Sequence, residues 1–322
     1  MKILSIVGPV VFLVATAYLV LVDGIMLSRE LVFLWLMAGL LAMSLADLGG
    51  WARGVIRDWV PFFAALFVYD LLRGMAGDPI FTPHVYPQID ADRLLFGGQV
   101  PTVWLQEHFF GGPGAIHLWD VIAWAIYLTH FFAVYVIAAL LWRFSRERFL
   151  RFRNLVLSLT AAAFVTYVMF PAVPPWMASD QGAIGSADRV VAAVWQQLGI
   201  ESAEAIWQRG SAFANEVAAV PSLHAAYPVM IMLFFWGSGR WARIACATYA
   251  VAMSLTLVYA GEHYVTDVLL GWIYALAVFF AYERVSAAWR RRRGGIADAD
   301  APEAFGAPVV ASGPAEEEVR RP

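Results

Sequence analysis

Eight apolar segments, each close in length to one bilayer crossing, constrain what this chain can fold into. A transmembrane helix needs about 20 mostly apolar residues, and inside the bilayer the backbone must satisfy its own hydrogen bonds. The chain is 61% hydrophobic and 15% charged, whereas soluble domains average about 45–50% and about 25%. The sequence therefore predicts an all-α integral membrane protein with about eight transmembrane helices. The segments are 3–22, 30–47, 57–72, 118–142, 155–171, 221–237, 241–260 and 265–284.

Arginines between these segments predict the orientation of the chain in the membrane. With eight spans and a cytoplasmic N-terminus, four basic connections all fall on the cytoplasmic side, as the positive-inside rule expects. Both termini are then cytoplasmic, in what we expect to be a bacterial plasma membrane. The loops 73–117 and 172–220 face the other side, and we expect the first to pack as short helices over a site there. The basic positions are Arg53, Arg57, the run 143–153, Arg240, Arg243 and the run 290–293.

Two polar motifs lie where loops on that outer side enter apolar segments. The first is Pro221-Ser-Leu-His224, and the second is His263-Tyr-Val-Thr-Asp267. Ionisable groups at membrane depth are costly and usually mark a site. Residues four apart share a helix face, so Asp267 can orient the imidazole of His263 and support its positive charge. His224 supplies a second imidazole for general acid–base work, and the set suits a histidine nucleophile that attacks phosphorus.

Other kinds of site use the same residue types. Both histidines with Asp267 are acceptable zinc ligands, but no His-Glu-x-x-His string is present. A proton relay in a transporter is a further possibility. Many transporters contain internal repeats, and the lack of one here is an argument against this interpretation. Ser222 with His263 could serve a membrane serine protease, although Ser222 lacks flanking glycines. Cys246 is the sole cysteine, so no disulfide framework and no cysteine metal cluster is predicted.

The two motifs, 39 residues apart from His224 to His263, resemble the second and third motifs of the type 2 phosphatidic acid phosphatase (PAP2) superfamily. Within it the chain is most similar to the inositol phosphorylceramide synthase and inositolphosphotransferase branch. Further support comes from Tyr69-Asp-Leu-Leu-Arg73 and Pro171-Ala-Val-Pro-Pro-Trp176. The resemblance covers 57–285, and it implies a six-helix catalytic domain there, preceded by two extra helices in 1–50.

The resemblance also implies a role for each matching residue. His263 takes the phosphoryl group and becomes a phosphohistidine, Asp267 orients it, and His224 protonates the leaving oxygen and then activates an alcohol or water. Ser222 and amides at the start of its helix bind phosphate oxygens, and Tyr264, inside the second motif, joins them as a substrate-binding candidate. No metal or other cofactor is needed for this chemistry.

Two phosphate-binding features of the phosphatase branch are missing here. There is no Lys-x6-Arg-Pro string, and Leu257 stands six residues before His263, where those phosphatases have arginine. A transferring phosphoryl group needs cations nearby, and Arg73, Arg93 and Arg209 are the candidates to replace them. Arg73 is favoured because it abuts a span end beside Asp70, which joins the candidate site.

The expected activity is transfer of a phosphoryl or phosphoalcohol group, such as phosphoinositol, between a lipid and an alcohol at the extracytoplasmic face. The missing arginines favour this transferase over its alternative, a phosphatase acting on phosphatidic acid or polyprenyl phosphate. The expected partners are a phospholipid or a polyprenyl or sphingolipid phosphate, an alcohol such as inositol, and membrane lipids, with no nucleic acid.

The remaining histidines and the two ends of the chain have simpler interpretations. His84, His108 and His117 are expected to be solvated loop residues, and His130 a packed polar residue within a span. The first apolar segment continues past Ala15-Thr-Ala17, so we expect an anchor rather than a cleaved signal peptide. Residues 294–322 are rich in Ala, Gly, Pro and acids and predict a disordered cytoplasmic tail.

Overall fold

The computed structural model describes residues 4–22, 29–45, 48–75, 82–198 and 215–299. Over these residues the regular secondary structure is helical, with a single π-helical stretch, Val55–Trp59, leading into α4. The helices are α1 (Leu4–Val22), α2 (Arg29–Met43), α3 (Leu48–Gly54), α4 (Val60–Met75), α5 (Tyr86–Leu95), α6 (Pro101–Phe109), α7 (Leu118–Phe144), α8 (Arg146–Met169), α9 (Pro175–Asp180), α10 (Val190–Leu198), α11 (Leu223–Phe234), α12 (Arg240–Tyr259) and α13 (Val265–Ala299).

Each apolar segment predicted from the sequence overlaps one of these helices. Four helical stretches are long and apolar enough to cross a membrane by length and composition: Leu118–Phe144, Arg146–Met169, Arg240–Tyr259 and Val265–Arg292. Three shorter apolar stretches are Val7–Leu19, Leu34–Met43 and Leu223–Phe234. The predicted all-α membrane fold is confirmed, while the six-helix core with two preceding helices remains a prediction.

The chain divides into two compact units, Met1–Phe280 and Ala281–Pro322. The first holds every residue of the candidate site. In the second, α13 extends to Ala299, which includes the first residues of the predicted tail. The rest of that tail, 300–322, lies outside the described residues.

Hydrogen bonds between hydroxyl groups join neighbouring helices of the bundle. Thr129 of α7 bonds Tyr249 of α12 at 2.8 Å. Helix α8 makes two such bonds, each at 2.6 Å, from Thr160 to Tyr227 of α11 and from Thr166 to Tyr274 of α13. Away from water, such bonds help to fix which helix faces which.

A buried carboxylate joins the helices at the end of the bundle that carries the basic loops. Asp58 is fully buried and accepts hydrogen bonds from Arg146 at 2.6 and 2.8 Å and from the Trp142 indole at 3.0 Å. In the sequence, the basic run 143–153 predicts the orientation of the chain in the membrane. Arg146 has an additional role, since it pairs α8 with the segment before α4.

Short helices from the two predicted outer loops pack at the opposite end. Gln106 of α6 fixes them: its amide nitrogen donates to the carbonyls of Asp188 and Tyr259 at 2.9 and 2.8 Å. Its amide oxygen accepts from the Asp188 N–H at 2.7 Å. Helix α10 covers Val190–Leu198 of the loop 172–220, and residues 199–214 of that loop lie outside the described residues. These short helices form a layer over the ends of α7, α12 and α13.

Candidate functional site

The first motif begins α11, and its serine caps that helix. Ser222 is fully buried, and its hydroxyl accepts the N–H of Ala225 at 3.2 Å. Its own N–H donates to the carbonyl of Asp267 at 3.1 Å. Gly271 permits this close approach, because a Cβ there would lie 2.4 Å from the Ser222 carbonyl oxygen. The two motifs are therefore connected through backbone as well as side chains.

The two motif histidines face each other. His263 Nε2 lies 3.4 Å from His224 Nδ1. On the other side of its ring, His263 Nδ1 lies 3.5 Å from Asp267 Oδ2, a distance that often shortens when substrate binds. We assign the His263 proton to Nδ1, because the carboxylate faces that nitrogen. The lone pair of Nε2 is then directed towards His224.

Asp267 is placed by the start of its own helix. It is fully buried, and His263 is only 6% exposed. Asp267 Oδ2 also accepts the backbone N–H of Tyr264 at 3.0 Å. The same oxygen thus faces both a backbone donor and the imidazole, so that the carboxylate has a defined position behind His263.

His224 is held by ring stacking. The ring of His130, from α7, lies 3.8 Å from it between centroids, and the ring of Tyr127 lies 5.2 Å away and nearly parallel. The sequence predicted His130 to be a packed polar residue. It is packed, but its neighbour is the general acid–base candidate, a contact that no local sequence pattern indicates.

Asp92 of α5 caps the helix that carries Asp267, and sequence reasoning missed it. The carboxylate is fully buried and accepts the N–H groups of Val265 and Thr266 at 3.0 and 2.9 Å. Burial raises the pKa of Asp92, and these two hydrogen bonds oppose the rise without cancelling it. The outer loop 73–117 therefore contributes directly to the start of α13.

Replacing Asp92 with alanine is expected to destabilise the protein by about 1–3 kcal/mol, because two buried N–H groups lose their acceptor. The measurement is thermal or denaturant unfolding of the purified protein in detergent. Asp90→Ala is the matched control on the same helix, since Asp90 is exposed and lies 4.0 Å from Arg93, and such surface pairs contribute little. Equal stability of the two variants would contradict the capping role.

A partly buried ion pair lies next to the second motif: the Glu262 side chain is 7% exposed and that of Arg189 is 26% exposed. Arg189, just before α10, donates through Nε and Nη2 to both carboxylate oxygens of Glu262, at 2.8 and 3.2 Å. Its guanidinium lies 5.1 Å above the Trp176 ring. Burial lowers the pKa of Arg189, but the Glu262 carboxylate outweighs burial and raises it overall. Neither Arg189 nor Glu262 was among the predicted site residues.

The predicted substrate-binding residues are distributed more widely. Tyr264 is fully buried, and burial raises its pKa, with Asp267 and Asp92 adding to the effect. Arg93 is 42% exposed. Asp70 and Arg73 lie in the last two turns of α4. Asp70 is half-buried, and the Arg73 side chain lies outside the described part of the structure. Arg209 lies outside the described residues.

The outer histidines make local stacking contacts. Their partners are Phe170 for His84, Trp104 for His108 and Trp119 for His117. Within the described part of the chain, no cluster of three or more His, Cys, Asp or Glu side chains could hold a metal ion.

Comparison with known proteins identifies the family. A profile of the PAP2 superfamily matches residues 98–281, more than half of the chain. The phosphoinositol dihydroceramide synthase of Bacteroides thetaiotaomicron is 34% identical over 189 residues, which are 52% of this chain and 58% of that protein. The inositol phosphorylceramide synthase of Candida albicans is 26% identical over 176 residues, 50% of this chain and 35% of that protein.

These matches are partial, since the chain spans between about a third and three fifths of the length of these curated relatives. No solved structure matches the chain significantly. The matched region nevertheless contains both histidine motifs together with Arg189 and Glu262. On the extent of the profile match and the facing histidines within it, this chain belongs to the PAP2 superfamily.

Proposed function

We propose that this protein is a membrane lipid phosphotransferase that moves a phosphoalcohol group, such as phosphoinositol, from a lipid to the hydroxyl of a second lipid. The observation that carries the proposal is the facing pair of imidazole nitrogens, 3.4 Å apart, with a buried carboxylate behind one of them. One ring can act as nucleophile while the other moves a proton.

In the first step, His263 Nε2 attacks the phosphorus of the donor lipid. A nitrogen–phosphorus bond forms, and the bond from phosphorus to the lipid oxygen breaks. His224, entering this step protonated, gives its proton to that oxygen, so the lipid leaves as a neutral alcohol. Asp267 stabilises the positive charge that develops on the His263 ring.

In the second step, the acceptor hydroxyl attacks the phosphohistidine. His224, now neutral, takes the hydroxyl proton as the new oxygen–phosphorus bond forms and the nitrogen–phosphorus bond breaks. His263 and the protonated His224 are thereby restored. Water in place of the alcohol would give hydrolysis by the same route, so the acceptor site decides between a transferase and a phosphatase.

The substrate class is supported by the two relatives, whose names describe synthases of phosphoinositol dihydroceramide and inositol phosphorylceramide. A transferase is also favoured by Leu257, which is fully buried in an apolar cluster with Met253 and Val258 and offers no charge to phosphate. The active site is proposed to face the extracytoplasmic side, because the basic loops lie at the other end of the helices.

The test is an assay of the purified protein in detergent with a chelator present. A phosphoinositol-bearing lipid is incubated with dihydroceramide, with another lipid alcohol, or with water alone. We expect a new phospholipid only when the sphingoid alcohol is present. Release of inositol phosphate at the same rate without any alcohol would make the protein a hydrolase and overturn the transferase.

A further inference from the structure

A phosphoryl group in transfer carries charge on its non-bridging oxygens, and that charge must be met by cations or hydrogen-bond donors. Arg93, one of the cations predicted from the sequence, is partly exposed and lies near Asp90. The His263–Asp267 pair supplies the nucleophile but offers no fixed positive charge to those oxygens. A less exposed cation next to the His263 motif would meet this need.

Arg189 occupies that position. It is bonded to Glu262, the residue immediately before His263. It also interacts electrostatically with Tyr127, whose ring stacks on His224. The guanidinium is therefore bonded to the residue that precedes one histidine, and it interacts with the tyrosine whose ring supports the other. Its helix is fixed there, because the N–H of Val190 donates to the carbonyl of Ala260 at 3.2 Å.

We propose that Arg189 is the phosphate-binding cation of this site and that Glu262 is its counter-ion when no phosphate is bound. The planar fork that binds both oxygens of Glu262 fits two oxygens of a phosphate in the same way. Trp176 supports the guanidinium from one face through a cation–π contact. When the phosphate binds, it replaces the Glu262 carboxylate as the partner of the Arg189 guanidinium. The phosphorus atom then lies next to His263. The inference rests on the proposed function, since the bound group is the one transferred.

A purely structural ion pair makes different predictions. Removing one partner of a buried pair leaves an uncompensated charge and destabilises the protein, whatever the function of the pair. Removing both partners avoids that penalty. The double variant Arg189→Gln/Glu262→Gln is therefore the informative one: a structural pair predicts that it recovers activity lost in Arg189→Gln, whereas a phosphate-binding role predicts that it does not.

The kinetic test compares Arg189→Gln, Glu262→Gln and the double variant in the transfer assay. We expect kcat/KM to fall about 10²–10³-fold in both variants that lack Arg189, as when one oxyanion-stabilising group is removed. Glu262→Gln should bind orthovanadate about 10-fold more tightly, because a negative charge beside the anion is gone. Arg243→Gln, on α12 near Trp236, is the control and should match wild type. A double variant within threefold of wild type would overturn the proposal.

A second measurement separates this inference from the phosphohistidine mechanism. In a His263→Ala background, which cannot form the covalent intermediate, inorganic phosphate should still raise Tm, and adding the Arg189→Gln/Glu262→Gln pair should remove that rise. Persistence of the rise would place the anion elsewhere and refute the role of Arg189, whether or not His263 is the nucleophile. If His263→Ala instead keeps full transfer activity, the phosphohistidine mechanism fails while the phosphate result still stands.

Discussion

Replacing His263 with alanine is expected to lower the transfer rate by about 10⁴–10⁶-fold, because the nucleophile that splits the reaction into two steps is gone. The remaining groups can bind the donor lipid and stabilise charge, but they have no atom that can hold the phosphoryl group. The variant should therefore also lose the covalent intermediate. A donor lipid labelled with ³²P and quenched in alkali, where phosphohistidine survives, measures both quantities.

The control is His108→Ala, because His108 lies on an outer helix and stacks on Trp104. It should label and turn over like wild type. His263 is almost fully buried, so the unfolding temperature of its variant must be compared with that of wild type to separate lost chemistry from lost folding. A folded His263→Ala protein that still incorporates label would show that another residue is the nucleophile.

The sequence was sufficient to predict the long apolar helices, and it also predicts which residues form the centre of the site. Apolar segments of this length cross a bilayer as helices, because the backbone must satisfy its own hydrogen bonds there. The positions of these helices therefore follow from length and composition. The sequence predicts His224, His263 and Asp267 because each lies in one of two short polar motifs at the start of an apolar segment. The structure brings the two histidines to 3.4 Å, as a joint role requires.

The groups that support this core were not predictable, because their partners are remote in the chain. Asp92 caps a helix that begins 173 residues later, and an aspartate within the predicted outer loop 73–117 gives no sign of such a partner. Arg189 pairs with Glu262, 73 residues away. The two residues meet because α10 packs beside the end of α12, which the sequence does not indicate. The candidates predicted from the sequence were Arg73, Arg93 and Arg209, and Arg189 was not among them.

The stack of His130 on His224 shows a further limit of sequence reasoning. A histidine in the middle of an apolar helix is ordinarily a satisfied core residue, and that interpretation accounts for its packing. Its functional meaning depends on which side chain it packs against, and this is decided by the crossing of α7 and α11. Burial could be predicted from sequence, but the neighbour could not.

The second large loss of activity is expected in His224→Ala, and its size should depend on the leaving group of the donor. With a natural lipid donor, His224→Ala is expected to lose about 10²–10⁴ in rate, because the departing alkoxide is no longer protonated. With a nitrophenyl ester of phosphoinositol, the leaving phenolate needs no proton, so the first step should proceed almost normally. The second step still needs a base to take the proton of the acceptor alcohol.

His224→Ala should therefore release one equivalent of nitrophenol per enzyme in a rapid burst and then turn over slowly, while the phosphohistidine accumulates. Stopped-flow absorbance at a substrate concentration far above that of the enzyme measures the burst and the later rate together. Equal losses with both substrates and no burst would mean that His224 acts in binding or folding rather than in proton transfer. A burst that disappears when His263 is also replaced would tie the accumulated intermediate to the ring that faces His224 in the resting structure.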